Sequence, residues 1–192
     1  NGIAIDREAL SEVKKEFENE LAQIEKDLNA IVVSVMGDIP INLNSGEDIT
    51  KVVFSREVIN KDLHKRTFNI GKDEFGNDQY PPRMSPNQFA NAVRATTKRV
   101  EKARAVHCHS CNGKGVIRKV KKNGEPFKNE NKCSICDGKG FTLVGMGAVA
   151  GLKLSPEGPR DASINGFSVG KDEIDRLIDQ AKRKDNLQAV EF

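Results

Sequence analysis

The sequence has no tryptophan, one tyrosine and only 5% aromatic residues. With 37% hydrophobic against 31% charged residues, this is thin material for one compact core in a chain of 192 residues. It suits long surface helices and a small module held by something other than apolar packing. No apolar run approaches the roughly 20 residues of a membrane-spanning helix, so no membrane partner is expected. The opening residues Asn1-Gly2-Ile3 are not a basic region leading into an apolar core, so no signal peptide is indicated. The initiator methionine is missing as well, which reads as a fragment or a processed chain. There are only four cysteines, all in one metal-like pattern. That points to a reducing, cytoplasmic setting.

Those four cysteines form two copies of one motif. The first runs Cys108-His109-Ser110-Cys111-Asn112-Gly113-Lys114-Gly115 and the second Cys133-Ser134-Ile135-Cys136-Asp137-Gly138-Lys139-Gly140. Both read C-x-x-C-x-G-K-G, with 21 residues between the two C-x-x-C pairs. Each C-x-x-C turn supplies two thiolates, and two such turns close a tetrahedron around zinc. The spacing predicts one structural zinc on Cys108, Cys111, Cys133 and Cys136, because four sulfurs leave no open position for a catalytic water. The glycines let the chain bend back after the second cysteine, so that backbone N–H groups point at sulfur. Two disulfides would suit a secreted protein, which this does not resemble. A thioredoxin-like redox pair needs no duplication and sits in a βαβ setting. His107 and His109 flank the first pair and are expected outside the ligand set.

Net charge is only +3, but it is unevenly placed. From Arg94 to Lys139 thirteen basic residues face four acidic ones, a net of +9, which a zinc with four thiolates lowers to +7. Such an island is the footprint expected for a polyanion such as nucleic acid, with a solvated lysine-rich surface as the plainer reading.

Apolar residues recur at Leu10, Val13, Phe17, Leu21, Ile24, Leu28, Ile31 and Val35, in steps of three and four. This predicts a helix capped by Asp6 and ending near Gly37, about 45 Å long. A rod of that length needs a partner helix. Ser45 with Asp48 reads as a capping box opening a short helix that turns Ile49, Val52 and Val53 inward.

These residues carry a resemblance. Gly2-Ile3-Ala4-Ile5-Asp6, the long helix, Ile41-Asn42-Leu43-Asn44-Ser45 and Ile49-x-x-Val52-Val53-Phe54 resemble family A DNA polymerases just after their 3′–5′ exonuclease domain. Asp48 stands where the family usually has Gln, and Val53 where it has Leu. The family pattern resumes at Gly166-Phe167-Ser168-Val169, followed by a helix stripe of Ile174, Leu177, Ile178 and Ala181. Asp185 then caps a further helix. The resemblance implies a mainly α fold, the long helices of a polymerase thumb in residues 1–54 and 151–192, incomplete at both ends. Residues 55–150 do not align and read as an insertion.

Within the insertion, Thr67 to Gly76 carries the turn signals of a hairpin. Ser85-Pro86-Asn87-Gln88 opens a helix of about 85–105, with a serine cap, proline at the first position and glutamine at the third. A small β-hairpin zinc module follows at 106–144, its first strand at Val116 and its turn at Asn123-Gly124. Phe141-Thr142-Leu143-Val144 reads as another short strand, and residues 145–151 as a glycine-rich linker. The C-x-x-C-x-G-x-G repeat is also similar to the zinc module of DnaJ-type co-chaperones, which has four repeats and two zincs where this chain has two repeats and room for one. The J-domain's His-Pro-Asp hairpin is missing here.

The thumb resemblance implies a bacterial or phage DNA-directed DNA polymerase that holds primer–template duplex through phosphate contacts without reading sequence. The chain itself carries no catalytic residue. Asn44 and Ser45 are the candidate DNA contacts of the thumb, and Arg118, Lys119, Lys121 and Lys122 those of the insertion. A thumb insertion in another polymerase of this family binds a processivity protein, which makes such a protein the second candidate partner. The alternative is a stand-alone, DnaJ-like protein-interaction module.

Overall fold

The computed structural model describes residues 7–118, 121 and 129–192. About 45% of the described residues are helix and about 19% strand, so the architecture is mixed α/β rather than mainly α. The strands form four two-stranded antiparallel pairs and no larger sheet among the described residues.

The stripe of apolar residues becomes α1 (Arg7–Met36). It stops at Gly37, whose φ of +76° ends the helix, and a Cβ there would meet the Ala103 carbonyl oxygen at 2.5 Å. Only the last turns are buried, through Val32, Val35 and Met36. Leu10, Phe17, Leu21 and Ile24 are more than half exposed, and no described helix covers them.

The core lies beyond that end. Helix α2 (Gly46–Phe54) turns Val52, Val53 and Phe54 inward, against Leu152, Leu154 and Phe167. The pairing is made by the backbone as well, since Gly151 N–H donates to Val35 at 3.0 Å and Leu152 N–H to Val52 at 2.7 Å. Late in the chain, β7 (Ala162–Ser163) and β8 (Gly166–Phe167) form a tight hairpin before α5 (Lys171–Arg183) and α6 (Leu187–Glu191). The Thr50 hydroxyl donates to the Phe167 carbonyl at 3.0 Å. Asn186, rather than Asp185, caps α6, its side chain accepting from Ala189 N–H.

Residues 55–100 share this core. Strand β1 (Arg56–Val58) pairs with β2 (Thr97–Arg99), and between them stand α3 (Lys61–Phe68) and α4 (Pro86–Thr96). The expected hairpin at 67–76 is the end of α3 and a turn with one isolated bridge, Lys72 to Asp78. Helix α4 starts with the expected reciprocal capping box of Ser85 and Gln88. It ends nine residues early. Thr96 and Thr97 turn their hydroxyls back onto the Ala92 and Val93 carbonyls, and β-branching favours the extended chain that follows.

Phe167 is the hub of the core. Its ring meets those of Phe54, His64, Phe68 and Phe89 edge to face, with centroids 5.6–6.4 Å apart. His64 is fully buried there, Nε2 3.0 Å from the Gly166 carbonyl and Nδ1 3.1 Å from the Thr96 hydroxyl. Burial lowers its pKa below the ordinary 6.5, against the opposing pull of the Gly166 carbonyl. Below about pH 6.5 the unfolded chain then takes a proton that the folded chain refuses. Stability from this site is complete above that pH and is lost as pH falls from 6.5 toward the depressed folded value. Thermal melts from pH 7.5 to 5.5 should show that decline, and His64→Gln should flatten it; an unchanged slope in the variant would assign the decline elsewhere.

From the core a two-stranded ribbon carries the chain outward. Strand β3 (Glu101–His107) pairs with β6 (Phe141–Val149), with a bulge between Glu101 and Ala103. The segment expected as a linker is therefore the second half of a nine-residue strand. Gly145 stands opposite Ala103 in that ladder, whose backbone hydrogen bonds need no side chain.

Candidate metal centre

At the outer end of the ribbon, His107 pairs with Phe141 and the two cysteine motifs face each other. Each motif is one knuckle. In the first, Asn112, Gly113 and Gly115 take φ of 48°, 79° and 74°; in the second, Asp137, Gly138 and Gly140 take 50°, 79° and 81°. The same residue types in the same spacing give the same backbone twice.

That backbone aims donors at sulfur. Gly115 N–H donates to Cys111 Sγ at 3.2 Å, and Gly140 N–H to Cys136 Sγ at 3.3 Å. The knuckles also exchange bonds: Cys108 N–H donates to the Gly140 carbonyl and Cys133 N–H to the Gly115 carbonyl, both at 2.9 Å. A Cβ on Gly115 would lie 2.3 Å from the Gly138 oxygen, and one on Gly140 2.3 Å from the Gly113 oxygen. The last glycine of each motif thus serves its own turn and admits the other knuckle, which motif reading missed.

All four cysteines are buried free thiols. Cys108 Sγ lies 3.8 Å from Cys133 Sγ, Cys111 Sγ lies 3.7 Å from Cys136 Sγ, and all four sulfurs fall within 4.8 Å of one another. A tetrahedron with metal–sulfur bonds of about 2.3 Å has edges of about 3.8 Å. The donor set and its dimensions fit a tetrahedral metal ion, and they are compatible with zinc. Burial pushes the Cys108 thiol up to about 11, so a metal ion taking this ligand would have to displace its proton. His107 and His109 are exposed and outside the cluster.

A two-residue pair, β4 (Val116–Ile117) with β5 (Asn131–Lys132), links the knuckles at their base. Arg118 follows it, but its guanidinium is engaged by Glu130 at 2.7 Å. Lys121 is exposed; Lys119, Lys122 and the expected turn at Asn123-Gly124 lie outside the described residues.

Asn44 and Ser45 lie at the N-terminus of α2 and are not part of the cysteine cluster. Asn44 is exposed, and Ser45 occupies the cap position without a side-chain cap bond. The expected capping box is absent, because Asp48 accepts from Asn42 N–H and pairs with Lys51 instead. Glu47 and Asp48 occupy the first turn, where their charge opposes a phosphate at that helix end. Among the described residues no helix is long and apolar enough to cross a membrane. No protein-family model matches this chain, and neither curated proteins nor solved structures include a match to it.

Proposed function

We propose that the chain is a thumb region of a family A DNA polymerase, carrying a structural zinc insertion and holding primer–template duplex through phosphate contacts. The observation that carries this reading is the meeting of the two polymerase-like blocks. They are separated by about a hundred residues, yet Phe54 stacks edge to face on Phe167 and Thr50 bonds its carbonyl. An insertion between two halves of one element is expected to leave those halves packed together. The ribbon, leaving the core beside the end of α1, is a natural arm for extending grip along a duplex or for docking a processivity protein.

One observation favours a second reading, a protein-interaction module of the DnaJ kind. Ile135 on the second knuckle and Val144 and Met146, alternate residues on one side of β6, are exposed apolar residues on the cysteine-bearing arm. Such a face suits a protein partner.

Titration of a labelled primer–template duplex at roughly 50 and 200 mM salt separates the two. Neutralising three phosphates makes affinity fall about 40-fold over that range. Binding that ignores salt, or no binding, would overturn the thumb reading and favour the protein-interaction module.

A further inference from the structure

The ladder of β1 and β2 carries a charge pattern that folding alone does not account for. On one face Glu57 is opposite Lys98, and the pair is joined at 3.0 Å. On the other face Arg56 is directly opposite Arg99. Like charges placed opposite one another across a strand pair destabilise it. Arg94, near the end of α4, adds to the repulsion: together with burial, Arg99 and Arg94 hold the Arg56 guanidinium below its usual pKa. Among the described residues no carboxylate forms an ion pair with Arg56, Arg94, Arg99 or Lys153. Glu101, two residues after Arg99, turns its carboxylate over Gly145 instead.

Arg56, Arg99 and Lys153 line an open cleft of about 360 Å³, together with Ser55 and Ser155 among others. Arg94 lies outside that lining, close enough to Arg56 to act on its charge, and its guanidinium donates to Asn91 Oδ1 at 2.7 Å. The cleft is built at some conformational expense. Ser55 and Lys153 both take left-handed backbone angles, φ 57° and 59°, that favour glycine. They hold one another there, Lys153 N–H donating to Ser55 Oγ at 2.9 Å. The result sets Lys153 in the lining of the same cleft as the arginine pair. Arg56 is half-buried and fixed by a bond to the Thr97 hydroxyl at 3.2 Å, while Arg94, Arg99 and Lys153 are exposed.

We infer that Arg56, Arg94, Arg99 and Lys153 form a binding site for the phosphodiester backbone of nucleic acid, separate from the metal centre. Planar guanidinium groups meet phosphate oxygens in paired hydrogen bonds, and a phosphate between Arg56 and Arg99 converts their repulsion into a shared attraction. An open cleft with exposed cations suits a backbone laid across the surface, which stays largely in water. The site stands on these charges and does not depend on the polymerase reading.

The test is the double variant Arg99→Gln/Lys153→Gln in the whole chain, measured by fluorescence anisotropy against a labelled 20-base-pair duplex and a single strand of equal length. Duplex or single-strand affinity should fall about tenfold or more, and the salt slope should drop by about two, one for each lost phosphate contact. Thermal stability without nucleic acid should hold or rise, since repulsion is relieved. A merely structural role would lower it. Unchanged affinity and slope toward both nucleic acids would overturn the site while leaving duplex binding elsewhere intact. Loss of single-strand binding by the variants, with no duplex binding by the wild type, would support the site and overturn the thumb reading. Inorganic phosphate bound by the wild type and lost in the variants, with nucleic-acid affinity unchanged, would assign the cleft to a free anion and overturn the inference.

Discussion

Removing the metal should unfold the outer end of the ribbon and leave the core standing. The purified chain is expected to hold one zinc, and chelation or Cys133→Ser should release it. Apart from the sulfurs, Ile117 is the one apolar residue among the described residues that packs against the cysteine cluster. So little apolar contact cannot order two knuckles, whereas zinc bound to four thiolates supplies an apparent ~10–16 kcal/mol at neutral pH. Amide exchange should therefore become fast in both knuckles, residues 108–115 and 133–140, in the metal-free chain. Protection should persist in α2, α4 and α5, whose packing involves none of the cysteines. Elemental analysis with exchange mass spectrometry reads both outcomes. Two disulfides in place of the metal, or protection retained after chelation, would refute the centre.

Phe167→Ala should do the reverse. The ring is 1% exposed and touches four other rings. Truncating a buried phenylalanine costs about 3–5 kcal/mol, and each lost edge-to-face pair adds to the cavity term. Against a total stability of about 5–15 kcal/mol, this is a large share. For a chain of this size the expected fall in Tm is roughly 6–20 °C. Metal content should not change, because the cysteine cluster and the aromatic cluster share no residue. A Tm within about 2 °C of the parent would mean that Phe167 does not join the two ends of the core. Taken together, the variants separate a metal-built unit from an apolar one within the same chain.

The arm between these units was the hardest part to read. Phe89, Ala92, Val93, Val100 and Ala103 fall on one apolar series, and their spacing fits a helix as far as about residue 105. The chain instead turns extended at Thr97, because β3 has a partner forty residues later whose backbone is free to pair with it. That partner includes Gly145, Met146 and Gly147, a composition that signals a linker when no pairing is in view. His64 was equally opaque. Its burial depends on Gly166, about a hundred residues away, and no local pattern marks it. Arg56 and Arg99 look like scattered surface cations until strand register sets them face to face.

Other elements were legible because their causes are local. The capping box of Ser85 and Gln88 closes within four residues. Helix α1 follows from a stripe of period 3.6, although periodicity specifies the helix and not what covers it; its first five turns remain exposed. The cysteine cluster was the clearest of all. Each knuckle of eight residues contains its own two thiols, its own N–H donor and the glycines that permit the bend. The sequence by itself thus determined the two knuckles, the long helix and the capped start of α4, since those depend on contacts within a few residues. Only the tertiary structure decided that the knuckles ride on a ribbon, that the two outer blocks close around Phe167, and that an arginine pair faces an open cleft. Those arrangements depend on backbone pairing and packing between residues tens of positions apart, where sequence order carries no distance information.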